Sequence, residues 1–133
     1  MSFELVQEPI SPAPLNHEGA GGFVIFEGKV RNNAGDRQVL RLEYEAFPEM
    51  AITEGETLVR EAIERFELIA AKVVHRLGVL EIGEAAVWIQ TAAAHRREAF
   101  AACEWIIDQL KVRVPIWKRE FYEIGRASCR ERV

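Results

Sequence analysis

The 133-residue chain has only two cysteines, Cys103 and Cys129. Neither belongs to a CxxC pair or to a Cys/His spacing, so the sequence indicates no disulfide framework and no metal site. No apolar run approaches the roughly 20 residues that span a bilayer, and the acidic first residues lack the pattern of a signal peptide. We therefore expect a cytoplasmic protein without a membrane partner.

An excess of positive charge is also missing, because 21 acidic residues outnumber 17 basic ones and give a formal net charge of -4. Domains that bind nucleic acid are usually clearly basic, so no nucleic-acid partner is expected. The chain contains no Gly-x-Ser-x-Gly, no HExxH and no P-loop spacing. Its 49% apolar and 29% charged residues are typical of an ordinary globular domain.

Hydrophobic periodicity predicts an α+β fold of mostly antiparallel strands packed with two main helices. The second and third strands flank a flexible turn at 32–36, and we expect them to pair as a hairpin. The predicted helices are 48–66 and 95–111, and the predicted strands are 3–6, 23–30, 39–47, 69–77, 85–91 and 116–122.

The last ten residues, 124–133, have no periodicity and resemble a translated sequencing adapter. They match no core-forming element. We therefore expect a single domain over residues 1–123, followed by a tail that is non-native or disordered.

The segment LKVRVPIWKRE (110–120) concentrates four cations around one proline and one tryptophan in an acidic protein. Like charges held close together repel, so this cluster suggests an anionic ligand. Lys111 also has a plainer interpretation as a lysine that stabilises the end of a helix. Lys118 lies on the opposite face of its strand from Trp117. A lysine beside an aromatic ring or another cation can serve as a nucleophile or a proton-transfer group.

A second basic cluster, His95, Arg96 and Arg97, stands where a helix should begin. The helix dipole disfavours cations there by about 0.3–1 kcal/mol each, whereas the free amide groups of the same turn favour an anion. These side chains either hold an anion or point into solvent. Arg31, beside the flexible turn, is either a ligand-binding residue or a simple hairpin cation. The pair His75 and Arg76 is interpreted as structural.

Five segments resemble, in order, the catalytic (large) subunit of molybdopterin synthase. They are FEGKVRN (26–32), LEYE (42–45), VHRLG (74–78), AHR (94–96) and LKVRVPIWKRE (110–120). The resemblance implies an α/β-hammerhead type of fold and a homodimer. Each large subunit would bind a small ubiquitin-like sulfur-carrier subunit, which gives a heterotetramer. The family's own C-terminal segment, which helps to shape the partner groove, is missing beyond about Glu123.

The implied reaction transfers sulfur from the thiocarboxylated Gly-Gly terminus of the carrier to cyclic pyranopterin monophosphate, without cofactor or metal. By position, Lys111 and Lys118 are the implied catalytic pair. The residues implied to bind the pterin and its phosphate are Arg31, His95, Arg96 and Arg97. Two alternatives stay open, a non-enzymatic docking module for a Gly-Gly tail and a small nucleotide-binding or RNA-binding domain, and the acidic composition disfavours the latter.

Overall fold

Two helices and nine strands make up the part of the chain that the computed structural model describes, residues 2–35, 37–122 and 130–132. The helices are α1 (Pro48–Phe66) and α2 (Arg96–Arg113). The strands are β1 (Ser2–Val6), β2 (Gly22–Lys29), β3 (Asn33–Ala34), β4 (Arg37–Ala46), β5 (Ala70–Arg76), β6 (Gly78–Glu81), β7 (Ala85–Ala93), β8 (Ile116–Tyr122) and β9 (Arg130–Arg132). The predicted α+β class is confirmed.

The strands form two sheets. One has the order β1-β5-β7-β2, and the other has the order β3-β4-β8-β9 with β6 also paired to β4. Among the described strand pairs only β1 and β5 run parallel. Both helices pack on the first sheet, and Thr91 of β7 donates a buried hydrogen bond of 2.7 Å to the carbonyl of Ala99 in α2. Fully buried core side chains include Leu58, Ile89, Ile106 and Leu110.

Prolines set the two element boundaries that matter most for the site. Pro48 stands in the first turn of α1, where its missing N–H costs nothing. Pro115 follows the end of α2, where a helix cannot continue, and β8 begins directly after it at Ile116. The last turn of α2 and the first residues of β8 are therefore neighbours in space as well as in sequence.

The predicted hairpin between the second and third strands is wrong. β2 pairs with β7, where Ile25 lies opposite Gln90, and β4 pairs with β6 and β8. The turn near residue 35 does form a hairpin, but its strands are the two-residue β3 and the start of β4. Val30 hydrogen-bonds to the turn before β7 through Glu84 and Gly83, so the chain leaves the first sheet there and crosses to the second.

The structure describes three residues of the predicted tail. Arg130–Arg132 form β9, which pairs antiparallel with β8 so that Trp117 lies opposite Arg132. Residues 124–129 and 133 lie outside the described part of the chain. Neither of the described helices combines the length and the apolar character that crossing a bilayer requires.

Candidate functional site

A cavity of about 380 Å³ opens where the end of α2 meets the second sheet and the end of β2. This volume falls in the usual range for small-molecule sites. Residues from seven elements and the loop after β2 line it. The lining residues are Phe26, Gly28, Lys29, Arg31, Asn33, Leu42, Tyr44, His75, Ala86, Val87, Ile107, Leu110, Lys111, Lys118 and Glu120.

Lys111 and Lys118 reach this cavity from different elements. Lys111 lies in the last turn of α2, one residue after the buried Leu110, which fixes the rotation of the helix. Lys118 lies on β8 directly opposite Tyr44 of β4, and cross-strand neighbours place their side chains on the same face of the sheet. The sequence-predicted pair is therefore brought together, seven positions apart in the chain.

Arg31 also lines the cavity, as predicted for a ligand-binding residue, and Lys29 does so beside it. The pairing of β2 with β7 shifts register between Gly28 and Lys29. Such an irregularity re-aims the side chains that follow it. The cavity thus receives four cations from two regions of the chain, and this surplus of positive charge suits an anionic ligand.

Glu120 supplies the negative charge of the site. Its Oε2 lies 3.9 Å from the amine of Lys118, and its Oε1 accepts a 2.6 Å hydrogen bond from the hydroxyl of Tyr122. Burial, together with the nearby charge of Glu120, raises the pKa of Tyr44 to about 12. Tyr44 therefore keeps its proton at neutral pH and offers the cavity a hydroxyl group.

His75 forms part of the cavity wall and is 1% exposed. Its ring meets the ring of Tyr44 edge-on, with centroids 5.1 Å apart. Burial lowers the pKa of His75 to about 4, because a charged imidazolium would lose its hydration there. The sequence interpretation of this residue as structural missed its place at the cavity. The same interpretation suits Arg76, which bonds to Glu84 at 2.7 Å outside the lining.

His95, Arg96 and Arg97 lie elsewhere. They are exposed at the first turn of α2, with His95 as the residue before the helix, and none lines the cavity. At 1.5 Å per residue, Arg96 and Lys111 are separated by about 22 Å along the helix axis. One chain therefore does not bring these three predicted pterin-binding residues to the two lysines.

The remaining cations of segment 110–120 have partners outside the cavity. Arg113 donates two hydrogen bonds, of 3.0 and 2.8 Å, to the carboxylate of Glu61 on α1. This pairing holds the pKa of Glu61 below its ordinary value. Arg119 lies 4.0 Å from Glu43 on the neighbouring strand. No group of three or more metal-ligating side chains occurs among the described residues.

Comparison with known proteins gives one consistent result. Residues 5–113 match the family model described as MoaE protein. The molybdopterin synthase catalytic subunit of Pyrococcus abyssi is 49% identical over 113 residues, which cover 85% of this chain and 76% of that protein. A crystal structure of molybdopterin synthase from Staphylococcus aureus superimposes with a TM-score of 0.88 at 36% identity, covering 96% of both chains.

A more distant structural relative extends the likeness of fold. It is a complex of subunits 1 and 2 of the molybdopterin-converting factor from Helicobacter pylori. The matching chain has a TM-score of 0.74 at 20% identity, and the match covers 96% of this chain and 89% of that one.

Proposed function

The chain belongs to the MoaE family, and we propose that it works as the catalytic subunit of a molybdopterin synthase, a sulfurtransferase of molybdenum cofactor biosynthesis. The observation that carries this function is the convergence of Lys111, Lys118 and Arg31 on one cavity. Its substrate is cyclic pyranopterin monophosphate, and its sulfur donor is the thiocarboxylate at the Gly-Gly terminus of a small ubiquitin-like carrier subunit. Both reactants are anions, which fits a cavity with four cations.

The two lysines are proposed to share the chemical work. An ammonium group on either side of the cavity can hold the thiocarboxylate and stabilise the negative charge that develops as sulfur attacks a carbon of the pterin. The guanidinium of Arg31 is suited to a forked contact with the phosphate. Glu120 lies 3.9 Å from the Lys118 amine and can take up or return a proton there.

The N-terminal cluster of α2 has a place in this proposal only through a second copy of the chain. We propose a homodimer in which His95, Arg96 and Arg97 of the partner help to bind the pterin and its phosphate. β2 is the last strand of its sheet, and within the described residues its outer edge pairs with no strand. That edge exposes Phe23, at 39%, and Ile25, at 51%. An unpaired apolar edge is a ready template for pairing with another chain.

Pairing of two β2 strands across a two-fold axis would bring the cluster of His95, Arg96 and Arg97 close to the cavity of the other chain. Gly22, at the start of β2, lies against the backbone of Arg96, because a Cβ on Gly22 would be 2.8 Å from the Arg96 Cα. Lys29, at the other end, lines the cavity. Antiparallel pairing about a centre near Ile25 sets the start of one strand beside the end of the other. The partner's Arg96 would then approach Lys29 and Arg31.

A small carrier subunit completes the proposed assembly. The Helicobacter pylori relative, which shares this fold, was solved as a complex of two subunits. With one carrier on each catalytic subunit, the complete enzyme would be a heterotetramer in the cytoplasm. The similarity to catalytic subunits favours an enzyme over a docking module that merely binds a Gly-Gly tail.

The proposed function is tested by replacing the two lysines. We expect Lys111→Ala and Lys118→Ala each to lower the rate of dithiolene formation by a factor of about 10² or more, as for other groups that stabilise developing charge. The assay mixes the purified chain with the thiocarboxylated carrier and the pterin precursor. Lys72→Ala is the matched control, because Lys72 of β5 lies near Glu4 of β1 and does not line this cavity. Normal turnover by both cavity variants would refute the assignment.

A further inference from the structure

The inner wall of the cavity contains the uncharged imidazole ring of His75, and the proposed sulfur transfer assigns no role to it. His75 is 1% exposed, and the T-shaped contact with Tyr44, at an interplanar angle of 73°, fixes the orientation of its ring. The charges of this cavity belong to its four cations and to Glu120, and His75 adds none. Its contribution to the cavity is therefore best sought in hydrogen bonding.

The tautomer of His75 follows from the hydrogen bond that its ring makes to the next backbone carbonyl. Nδ1 lies 2.9 Å from the carbonyl oxygen of Arg76. A carbonyl oxygen can only accept, so Nδ1 carries the hydrogen and Nε2 carries a lone pair. The backbone at Arg76 is itself held in place, because the Arg76 guanidinium bonds to Glu84 at 2.7 Å. Burial keeps the pKa of the ring at about 4, so this neutral tautomer persists at pH 7.

Nε2 is then a hydrogen-bond acceptor to which no described residue donates. Among the described residues, Nδ1 is the only nitrogen of this ring with a hydrogen-bond partner. Nε2 is the ring nitrogen farther from the β5 backbone, and it is not among the fully buried side-chain atoms that lack a partner, so it is open to the cavity that His75 lines. Water or a ligand N–H group in the cavity can donate to it, and a bound ligand that supplies this donor replaces the hydrogen bond to water.

The surroundings of His75 decide which ligand group brings the donor. The cations of the cavity suit phosphate and thiocarboxylate, whereas the side chains of Phe26, Leu42, Tyr44 and Val87 form apolar or aromatic wall. A flat heterocycle can pack its faces on such a wall, and a pterin carries N–H groups along its edge. A Gly-Gly tail has peptide N–H groups but no side chain with which to fill apolar space.

We propose that His75 is a specificity-determining residue for the pterin, and that its Nε2 accepts a hydrogen bond from an N–H group on the heterocycle. This inference rests on the proposed function and assigns the substrate ring to the inner wall of the same cavity. The weak basicity of the ring makes it a binding group and not a proton acceptor for catalysis. Its loss should therefore raise KM for the pterin more than it lowers kcat.

Two substitutions separate the two nitrogens of the ring. In His75→Asn the side-chain amide takes the position of Nδ1 and can still donate to the Arg76 carbonyl, but nothing replaces Nε2. In His75→Gln the amide reaches the position of Nε2 and can accept there. We expect His75→Asn to weaken binding of cyclic pyranopterin monophosphate about tenfold, the loss of one hydrogen bond, and His75→Gln to stay within about threefold of the wild type. The reverse order of affinities would show that only the Arg76 bond matters and would overturn the proposal.

The same calorimetric titrations with a peptide ending in Gly-Gly thiocarboxylate test the competing ligand. Both variants should bind this peptide as the wild type does. A loss of peptide binding with intact pterin binding would assign Nε2 to the tail and overturn the proposal.

A measurement on the unaltered protein covers the case in which the variants do not fold. In ¹⁵N-labelled wild-type protein, the Nε2 resonance of His75 should move upfield when the pterin binds, because its lone pair becomes engaged. Pterin binding without that shift would refute the role of His75 but leave sulfur transfer intact. Absence of any pterin binding by the wild type would refute both.

Discussion

At the scale of single residues, His75 makes the stability of the folded chain depend on pH. Its pKa is about 4 in the folded protein, and 6.5 is the ordinary value that an unfolded chain would show. Between these values the unfolded chain binds a proton that the folded protein rejects, so acid favours unfolding. The contribution is complete above about pH 6.5 and falls as the pH drops towards 4, by at most about 3 kcal/mol.

We expect the free energy of unfolding of the wild type to fall by about 2 kcal/mol between pH 7 and pH 5 from this residue alone. Urea denaturation at both pH values measures it. His75→Gln carries no titrating group at this position, so its stability should change less by that amount. His17 and His95 are present in both proteins and cancel in the comparison. Parallel pH dependences in the two proteins would show that His75 is not held neutral by burial.

The sequence predicts some residues of the candidate site and not others. Lys111 and Lys118 could be predicted because cations are crowded there in an acidic chain, and Arg31 because the family motif includes it. Tyr44 and His75 were not predicted, although both lie in segments that resemble the family, since a lone aromatic or histidine on a strand is usually a core residue. Alternation along β4 puts Leu42 and Tyr44 on one face, but only the pairing of Tyr44 with Lys118 shows that this face meets the cavity.

At the scale of elements, boundaries were easier to predict than pairing. The bounds of α1 and β8 were predicted to the residue, because proline marks the start of the first and the approach to the second. The partner of β2 was not, because Ile25 pairs with Gln90, which is 65 positions away in the chain. Local patterns say that a strand exists and which face is apolar, whereas the choice of neighbour depends on how both sheets pack.

The contact between α1 and β1 reverses an ordinary rule for helices. Gly55 lies inside α1, where replacing glycine by alanine usually stabilises by about 1 kcal/mol. A Cβ at this position would overlap the ring of Phe3, which is 3% exposed. The ring is surrounded by core residues and cannot move without displacing them. Glycine is therefore required here by close packing, since the backbone itself is helical.

We expect Gly55→Ala to destabilise the protein by about 1–3 kcal/mol, the usual cost of overpacking a core. Chemical denaturation at pH 7 measures the change. The second arm combines the substitution with Phe3→Leu, which removes most of the ring, so the two effects should not add. Thr53→Ala, in the same helix, controls for propensity. A stabilised Gly55→Ala protein, or additive effects of the two substitutions, would contradict the proposed contact.

At the scale of the whole molecule, the distance along α2 is the argument for a second copy. About 22 Å separate Arg96 from Lys111 along the helix, and the eight residues of β2 beside it span about 26 Å. In the proposed dimer, a two-fold axis near the middle of β2 would therefore bring the far end of one helix close to the other chain's cavity. Each α2 of that dimer would supply Lys111 to its own cavity, and Arg96 and Arg97, with His95 before the helix, to the cavity of the partner.

Pairing along β2 can be tested by placing a charge at its centre. We expect Ile25→Lys to convert the proposed dimer to a monomer, because two like charges would then face each other near the axis. Light scattering coupled to size-exclusion chromatography measures the mass. Val79→Lys is the matched control, since Val79 on β6 has a similar exposure, 48% against 51%. A dimeric Ile25→Lys protein would place the interface elsewhere.

Shared sites make a stronger prediction about mixed dimers. Lys111→Ala and Arg96→Ala chains should each be nearly inactive as homodimers, because every site lacks one group. A heterodimer isolated through two different tags concentrates both defects in one site and leaves the other intact, so we expect about half of the wild-type dithiolene formation per dimer. The control heterodimer, Lys111→Ala with Lys118→Ala, has a defect in both sites and should stay inactive. If the first heterodimer is equally inactive, Arg96 does not act on the partner's cavity.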